Sequence, residues 1–500
     1  MKSSSFSKIA LAGVAIAMVS LTACKKDHTQ DSSSNGSFDR ASRASLEDNR
    51  DIPNTKQVIP NVISGYFHLT NTTQWVIDGP TFVLAGATLD IDAGTYIRGR
   101  KKANTTNGYP SFIVIAKGGT IDAVGTAENP IVFTSEEAAC QRQPGDWGGL
   151  VVLGKGRTNA GLLSIEGMQP QYYQNIPGQP NPALPSSVIQ YGDSSDADNS
   201  GSLRYARIEF AGDVITDGNE LNGLTLGAVG YNTTLDHVEV SMGADDGFEF
   251  FGGSVNATHL ISYGNNDDDF DFDQGYIGSI QFAVAAKVPC LLYSSNPNGI
   301  ESNNVTSPVS YNGLRLTRPV LSNITILGED NNDGPGVGGT SNSGIGTYFR
   351  AGSDYVVRNF VVGGFNTGAT LTGVGSYTNG LLHGFASAGT TGTGITTFTG
   401  TSVTTNSHLL LVDPFDVYSC VCPSQGDIPC PDFRYIDNPD EGILSPAASG
   451  ASFSGLAVTN PGGSLSSFAS TTYVGAFPSQ NDARWDDLWA TYSPTSNLYQ

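Results

Sequence analysis

A period of 22 residues runs through 221–286 and leaves few architectures open. His237-Val238-Glu239-Val240 aligns with His259-Leu260-Ile261-Ser262 and then with Gln281-Phe282-Ala283-Val284. A companion segment, Asp246-Gly247-Phe248-Glu249-Phe250, returns as Asp268-Asp269-Phe270-Asp271-Phe272. One period earlier stand Leu224-Thr225-Leu226-Gly227-Ala228. Within the repeat, apolar residues alternate with period two, which is the pattern of strands and not of helices. Leu226, Phe248 and Phe270 are expected to form one inward column, and Ala228, Phe250 and Phe272 a second. Thr225, Gly247 and Asp269 would face outward, as would Gly227, Glu249 and Asp271. Short strands between Gly and Asn turns, repeating in register, describe stacked coils that each rise about 4.8 Å. Propeller blades need roughly 40 residues and leucine-rich repeats their own Leu-Asn pattern, so neither fits. The expected fold is all-β, a right-handed parallel β-helix with loop insertions and terminal caps.

The flanking sequence agrees with less regular spacing. Phe82-Val83-Leu84, Thr88 to Ile91, Phe112 to Ile115, Ile131-Val132-Phe133 and Val151-Val152-Leu153 read as earlier strands, and Tyr205 to Phe210, Asn323 to Leu327 and Arg358 to Val362 as others. With 61 glycines in 500 residues and only 14% charged, the composition suits many tight turns. Insertions at 160–200, 293–312, 329–346 and 413–450 interrupt the coils, and in a solenoid such loops gather on one side, often the binding side. An open stack also exposes edge strands that need covering. Residues 52–80 are expected to cap the first coil, and Asp482 to Tyr492, with Trp485, Leu488 and Trp489 at helical spacing, the last.

Ahead of the repeats lies a different kind of segment. Lys2 and Lys8 precede an apolar stretch from Ile9 to Val19, too short to span a bilayer and typical of a signal peptide. Leu21-Thr22-Ala23 before Cys24 resemble the bacterial lipobox, which implies lipidation at Cys24. Lys25-Lys26-Asp27 carry no acid directly after the cysteine, which resembles outer-membrane retention, and the Lys-Asp pair resembles a surface-export tether. The expected layout is a signal peptide at 1–23, a flexible tether at 24–57, a β-helix at 58–480 and a C-terminal cap at 481–500. Among the remaining cysteines, Cys140, Cys290, Cys420, Cys422 and Cys430 are disulfide candidates in an oxidising compartment, with one left over. The formal charge of −22, near −24 without the signal lysines, makes nucleic acid and anionic lipid poor partners and favours cations or cation-bridged ligands.

Two resemblances follow from particular residues. Gly119-Thr120-Ile121, Asn129 to Ser135, Asp146-Trp147-Gly148-Gly149-Leu150, Leu221 to Leu226 and Asp245 to Gly253 resemble a family of Bacteroidetes β-helix surface lipoproteins over most of residues 60–490. That resemblance implies the fold and an outer-membrane, cell-surface location, and little about activity. The segment Asp245-Asp246-Gly247-Phe248-Glu249 resembles the calcium motif of family-nine pectate lyases, with Glu249 where that family has an aspartate. It implies a calcium site, and in such lyases a lysine that removes the proton beside a uronate carboxylate.

The repeat gives the acidic motif a physical meaning. Residues 22 apart stack, so Asp246 would sit over Asp268 and Glu249 over Asp271, and like charges one strand spacing apart repel unless a cation lies between them or a pKa rises. Asp245, Asp246, Glu249, Asp268, Asp269 and Asp271 form the expected metal set, and hard oxygen ligands suit calcium. Turn bracing by Asp side chains is the competing explanation. Lys287, expected to stack over Asn265 near Asp267 and Asp268, is either a catalytic base or a salt-bridge partner of the ladder. His237 and His259 also stack, and stacked polar residues in a β-helix are more often structural than metal ligands. The functional expectation is a lipid-anchored outer-membrane protein that binds a polysaccharide or another extracellular ligand, with structural calcium. The alternative is a calcium-dependent polysaccharide lyase or related carbohydrate-active enzyme.

Overall fold

Phe248 stacks on Phe270 with ring centroids 5.2 Å apart, and Phe250 on Phe272 at 5.1 Å, all four fully buried. These rings lie in a computed structural model of the protein, which describes residues 53–497 except 177–182, 217–218, 289–290, 292, 305–314, 329–343, 385–389, 392–394, 404–410, 414–431, 436–457, 459, 479–481 and 496. Cys24, Cys290, Cys420, Cys422 and Cys430 lie outside the described residues, and Cys140 is disulfide-bonded. Among the described residues no helix is long and apolar enough to cross a membrane.

Two long parallel sheets carry the chain, as a parallel β-helix requires. One contains, in stacking order, Leu150–Leu153, Leu224–Gly227, Phe248–Phe251, Phe270–Asp273, Ile300–Ser302 and Ile345–Phe349 at its centre. The other contains Gly201–Glu209, Thr234–Ser241, Ala257–Tyr263, Ser279–Ala286, Val320–Leu327 and Tyr355–Gly363. In the early coils this second sheet is two separate runs. Thr120–Val124 pairs with the first half of Gly201–Glu209, and Ile131–Ser135 with the second half. From there to Gly375–His383 each long strand bends at one residue that the ladder skips, so these coils have three sides. The bending residues are Tyr205, His237, His259, Phe282, Asn323, Asn359 and Asn379, all at φ between 46° and 64°. None of them is glycine, so each adopts a left-handed conformation that its stacked neighbours must hold in place.

The register departs from a uniform 22. Leu224 pairs with Phe248 and Leu226 with Phe250, so the expected Leu226–Phe248 and Ala228–Phe250 columns are corrected by two residues. The connection from Gly227 to Thr234 is longer than the one from Phe251 to Ala257, and the buried Ala228 lies in it outside the strand. A shift of two preserves the inward and outward parity, so the assignments within the paired strands survive. Gly247 and Asp269, expected outward, are corrected: they precede those strands at a corner and turn inward, where a Cβ at Gly247 would meet Ser262 and Asn265 and where Asp269 accepts from Ser262 Oγ. Further on, Thr258 faces Gln281 and Leu260 faces Ala283, one residue out of the expected register. The turn after Asp273 holds the extra residue. It drives Tyr276 fully inside, against Phe250 at 4.8 Å and Phe272 at 5.2 Å.

Both ends differ from expectation. Residues 52–80 already contribute coil strands, with Lys56–Val58 pairing with Gln74–Ile77 and Tyr66–Leu69 with Thr88–Ile91. The C-terminal segment forms no helix among its described residues, and it lies along the flank instead of over the last coil. Ala469 donates to Gln281 Oε1 at 2.7 Å, and Gly475 donates to the Asn359 carbonyl at 2.9 Å. The chain then turns back. Trp485 lies 5.1 Å from His259, Trp489 5.5 Å from His237, and Thr491 N donates to Glu239 Oε2 at 2.8 Å. Leu488 is 46% exposed, because the backbone here is a set of turns and the helical spacing has no helix to act through.

Candidate functional site

Stacking in register brings Glu249, Asp271 and Glu301 into one outward column. Asp246 and Asp268 sit two residues before their strands, in the turns that feed them. Here side chains do brace the turns. Asp246 Oδ1 accepts the Asp268 N–H at 2.8 Å, Asp268 Oδ1 accepts the Asn298 N–H at 2.6 Å, and Asn298 Oδ1 accepts the Ile345 N–H at 2.9 Å. Asn298 performs this bracing with a neutral amide, so bracing alone does not call for the negative charge at Asp246 and Asp268.

The column faces away from the core yet is covered. Tyr191, from the long insertion after Leu150–Leu153, stacks 6.1 Å from Phe251 and donates to Gln274 Oε1 at 2.7 Å. The same insertion carries Glu166, and the hairpin of Asp213–Thr216 and Asn219–Leu221 carries Glu220. Asp246, Glu249 and Asp268 are consequently 8%, 3% and 5% exposed. Glu249 Oε2 accepts a 3.4 Å contact from Asn222 Nδ2, the Glu249 and Asp246 carboxyls meet side by side, and Glu249 Oε1 is buried with no hydrogen-bond donor facing it. Asp271 Oδ1 and Asn222 Oδ1 are likewise buried and unpartnered.

Burial and mutual repulsion push these acids up together. Loss of hydration comes first and neighbouring carboxylates second for Asp246, Glu249, Asp268 and Asp271, all held well above the usual carboxylate range. Burial, then Asp267 and Glu220, pushes Asp245 up to about 8. Burial, then Glu220, pushes Glu166 up to about 7, and burial pushes Asp273 up to about 6. Among the described residues Arg350 answers them, forming an ion pair with Glu301 and drawing Asp271 and Asp273 down.

The expected set is thereby sorted. Asp245, Asp246, Glu249, Asp268 and Asp271 do come together. Asp269 is corrected out of the group. It is fully buried on a separate network, accepting from Ser262 Oγ at 2.6 Å and pairing with Lys287 Nζ at 3.2 Å. Lys287 stacks where expected, but its ammonium is buried on Asp269 and on the backbone carbonyls of Asn265 and Asp267. Those contacts are those of a salt-bridge partner, since a base needs a free lone pair facing substrate. Sequence reasoning left Asp267 out of the expected set, and Glu301, Glu166 and Glu220 out of view entirely. Glu301 had a faint signal in the alternation of Ile300-Glu301-Ser302, hidden because an insertion separates it from Asp271 by 30 residues instead of 22.

His237 and His259 stack at 4.1 Å, between Tyr205 at 4.3 Å and Phe282 at 5.1 Å. Their Nδ1 atoms lie 2.7 and 3.0 Å from Asp236 Oδ1, which also accepts from Thr258 Oγ1 at 2.6 Å, while Asp236 Oδ2 pairs with Arg204. Both Nδ1 atoms and both oxygens of Asp236 therefore have partners at this corner.

The fold and the covered acidic face define a parallel β-helix with a concentration of buried carboxylates on one outer side. Residues 62–408 match the family described as the pectate-lyase-like β-helix domain, and the chain belongs to that family. At the family level this supports a carbohydrate-related extracellular function. No curated protein and no solved structure matches the chain.

Proposed function

We propose that the protein is a lipid-anchored, extracytoplasmic β-helix that binds an acidic polysaccharide through calcium held on the acidic face. The buried, unpartnered Glu249 Oε1, in a donor set made only of oxygens, carries this reading. A buried carboxylate oxygen without a partner is costly unless the group keeps its proton or a cation completes it, and a cation can answer several such groups at once. Calcium accepts six to eight oxygens in irregular geometry, which suits side chains delivered by separate coils and insertions, whereas magnesium demands tighter octahedral packing. Asp246, Glu249, Asp268 and Asp271 would supply carboxylates and Asn222 an amide oxygen. A cation so held presents positive charge where a uronate carboxylate can meet it. The anchor reading rests on the segment around Cys24, and the Cys140 disulfide suits an oxidising compartment. A Cys24→Ser variant is expected to leave the membrane fraction, and retention after a salt wash would overturn the anchor.

The glycan reading is tested by titrating a uronate polymer into the protein with calcium and with chelator. Heat of binding is expected with calcium and its loss with chelator, and equal binding in both would overturn the reading. A second reading, a calcium-dependent lyase, is favoured by the family and by Arg350 beside the cluster. The same mixtures separate the two, because a lyase releases an unsaturated product that absorbs in the ultraviolet and a binding protein does not.

A further inference from the structure

The carboxylates of the acidic face do not ring a single point. Their oxygens fall into three triads, each with all its ligand atoms within 4.8 Å of one another. These are Asp245, Asp246 and Asp267; Asp246, Glu249 and Asp271; and Asp268, Asp271 and Glu301. Neighbouring triads share one residue, Asp246 between the first two and Asp271 between the last two. The third triad already has a cation, since Arg350 is ion-paired with Glu301. Among the described residues no basic side chain forms an ion pair with Asp245, Asp246, Glu249 or Asp267.

We infer that the acidic face holds two divalent cations, bridged by the Asp246 carboxylate, with the Arg350 guanidinium standing where a third would sit. The first cation takes Asp245 and Asp267, and the second takes Glu249 and Asp271. This rests on the calcium reading above and goes beyond it in number and arrangement. One ion on the middle triad would leave Asp245 and Asp267 unanswered beside it, and one ion on the first would leave Glu249 Oε1 buried and bare. A shared carboxylate is what lets two cations sit close together, because each oxygen has two lone pairs and Asp246 Oδ1 spends only one on the Asp268 N–H. Glu166 and Glu220, which raise Asp245 from outside the triads, supply further negative charge around the pair. Two adjacent cations favour a ligand with successive carboxylates, so the chemical class is a contiguous polyuronate and not a neutral glycan.

Equilibrium dialysis of the full chain against calcium alone should find two ions per chain. Asp245→Asn should reduce that to one, and Asp246→Asn should weaken both by at least tenfold. A single ion in the unaltered protein, unchanged by Asp245→Asn, would overturn the pair and leave the calcium reading standing. No bound ion would overturn both. Should Asp246→Asn fail to fold, the unaltered protein loaded with mixed terbium and europium still decides. Two ions a few ångströms apart shorten the terbium lifetime, and an unshortened lifetime rejects the pair.

Discussion

The corner column and the acidic column are built by the same rule and end in opposite electrostatic states. At the corner, Tyr205, His237, His259 and Phe282 stack ring on ring, and on the acidic face Glu249, Asp271 and Glu301 stack carboxylate on carboxylate. The rest of the chain completes the first. Asp236 accepts from both imidazoles and Thr258, and Trp485 and Trp489 meet the His237 ring edge-on. Around the second, insertions add Glu166 and Glu220, and burial leaves oxygens without partners. Stacking of chemically reactive residues therefore says little by itself. The partners that tertiary structure supplies decide whether a column is a seam or a site.

The comparison breaks most visibly at the corner. Trp489 is fully buried between the flank segment and the Tyr205–His237 rings, so Trp489→Ala should destabilise by about 3–5 kcal/mol, as large-to-small core changes do. Because the corner carries its own partners, the loss measured by denaturant unfolding should be the same with calcium and with chelator. A loss that calcium repairs would mean the two columns are one coupled system.

A smaller effect is expected at the acidic face. A ligand that binds only the folded state at one hundred times its dissociation constant stabilises by about 2.7 kcal/mol. Calcium should raise the melting temperature accordingly, magnesium less, and Asp246→Asn should remove the response while its amide oxygen keeps the bond to the Asp268 N–H. Identical melting curves with calcium and chelator would decide for turn bracing.

The pH dependence follows the same groups and is the finest of these tests. Asp245 and Glu166 hold their protons to about 8 and about 7 in the folded chain, but release them near ordinary carboxylate values when unfolded. The folded state thus binds more protons across that window. Without calcium, the stability contributed by these two protons should be full below about pH 4, fall as pH rises, and be lost once pH passes about 8. Calcium displaces those protons, so its stabilisation should grow over the same range. A calcium increment that is flat from pH 5 to pH 8 would show that these carboxylates do not face the cation.

Alternating apolar residues in Phe248-Glu249-Phe250 and Phe270-Asp271-Phe272 were enough to assign strands, sides and a coiled stack, because parity is local and a two-residue slip does not alter it. The dense acids of 245–273 were legible for the same reason. Membership of the site was not. Asp269 follows Asp268 in sequence but is drawn away by Ser262 and Lys287, whereas Glu301, Glu166 and Glu220 arrive across insertions whose lengths follow no period. Nor could helical spacing in Trp485, Leu488 and Trp489 reveal a segment that runs back along the flank to His259, His237 and Glu239. Periodicity is a property of neighbouring residues and survives in the sequence. Which distant segments supply a charge, a partner or a cover depends on loop lengths and packing, and only the folded chain fixes those.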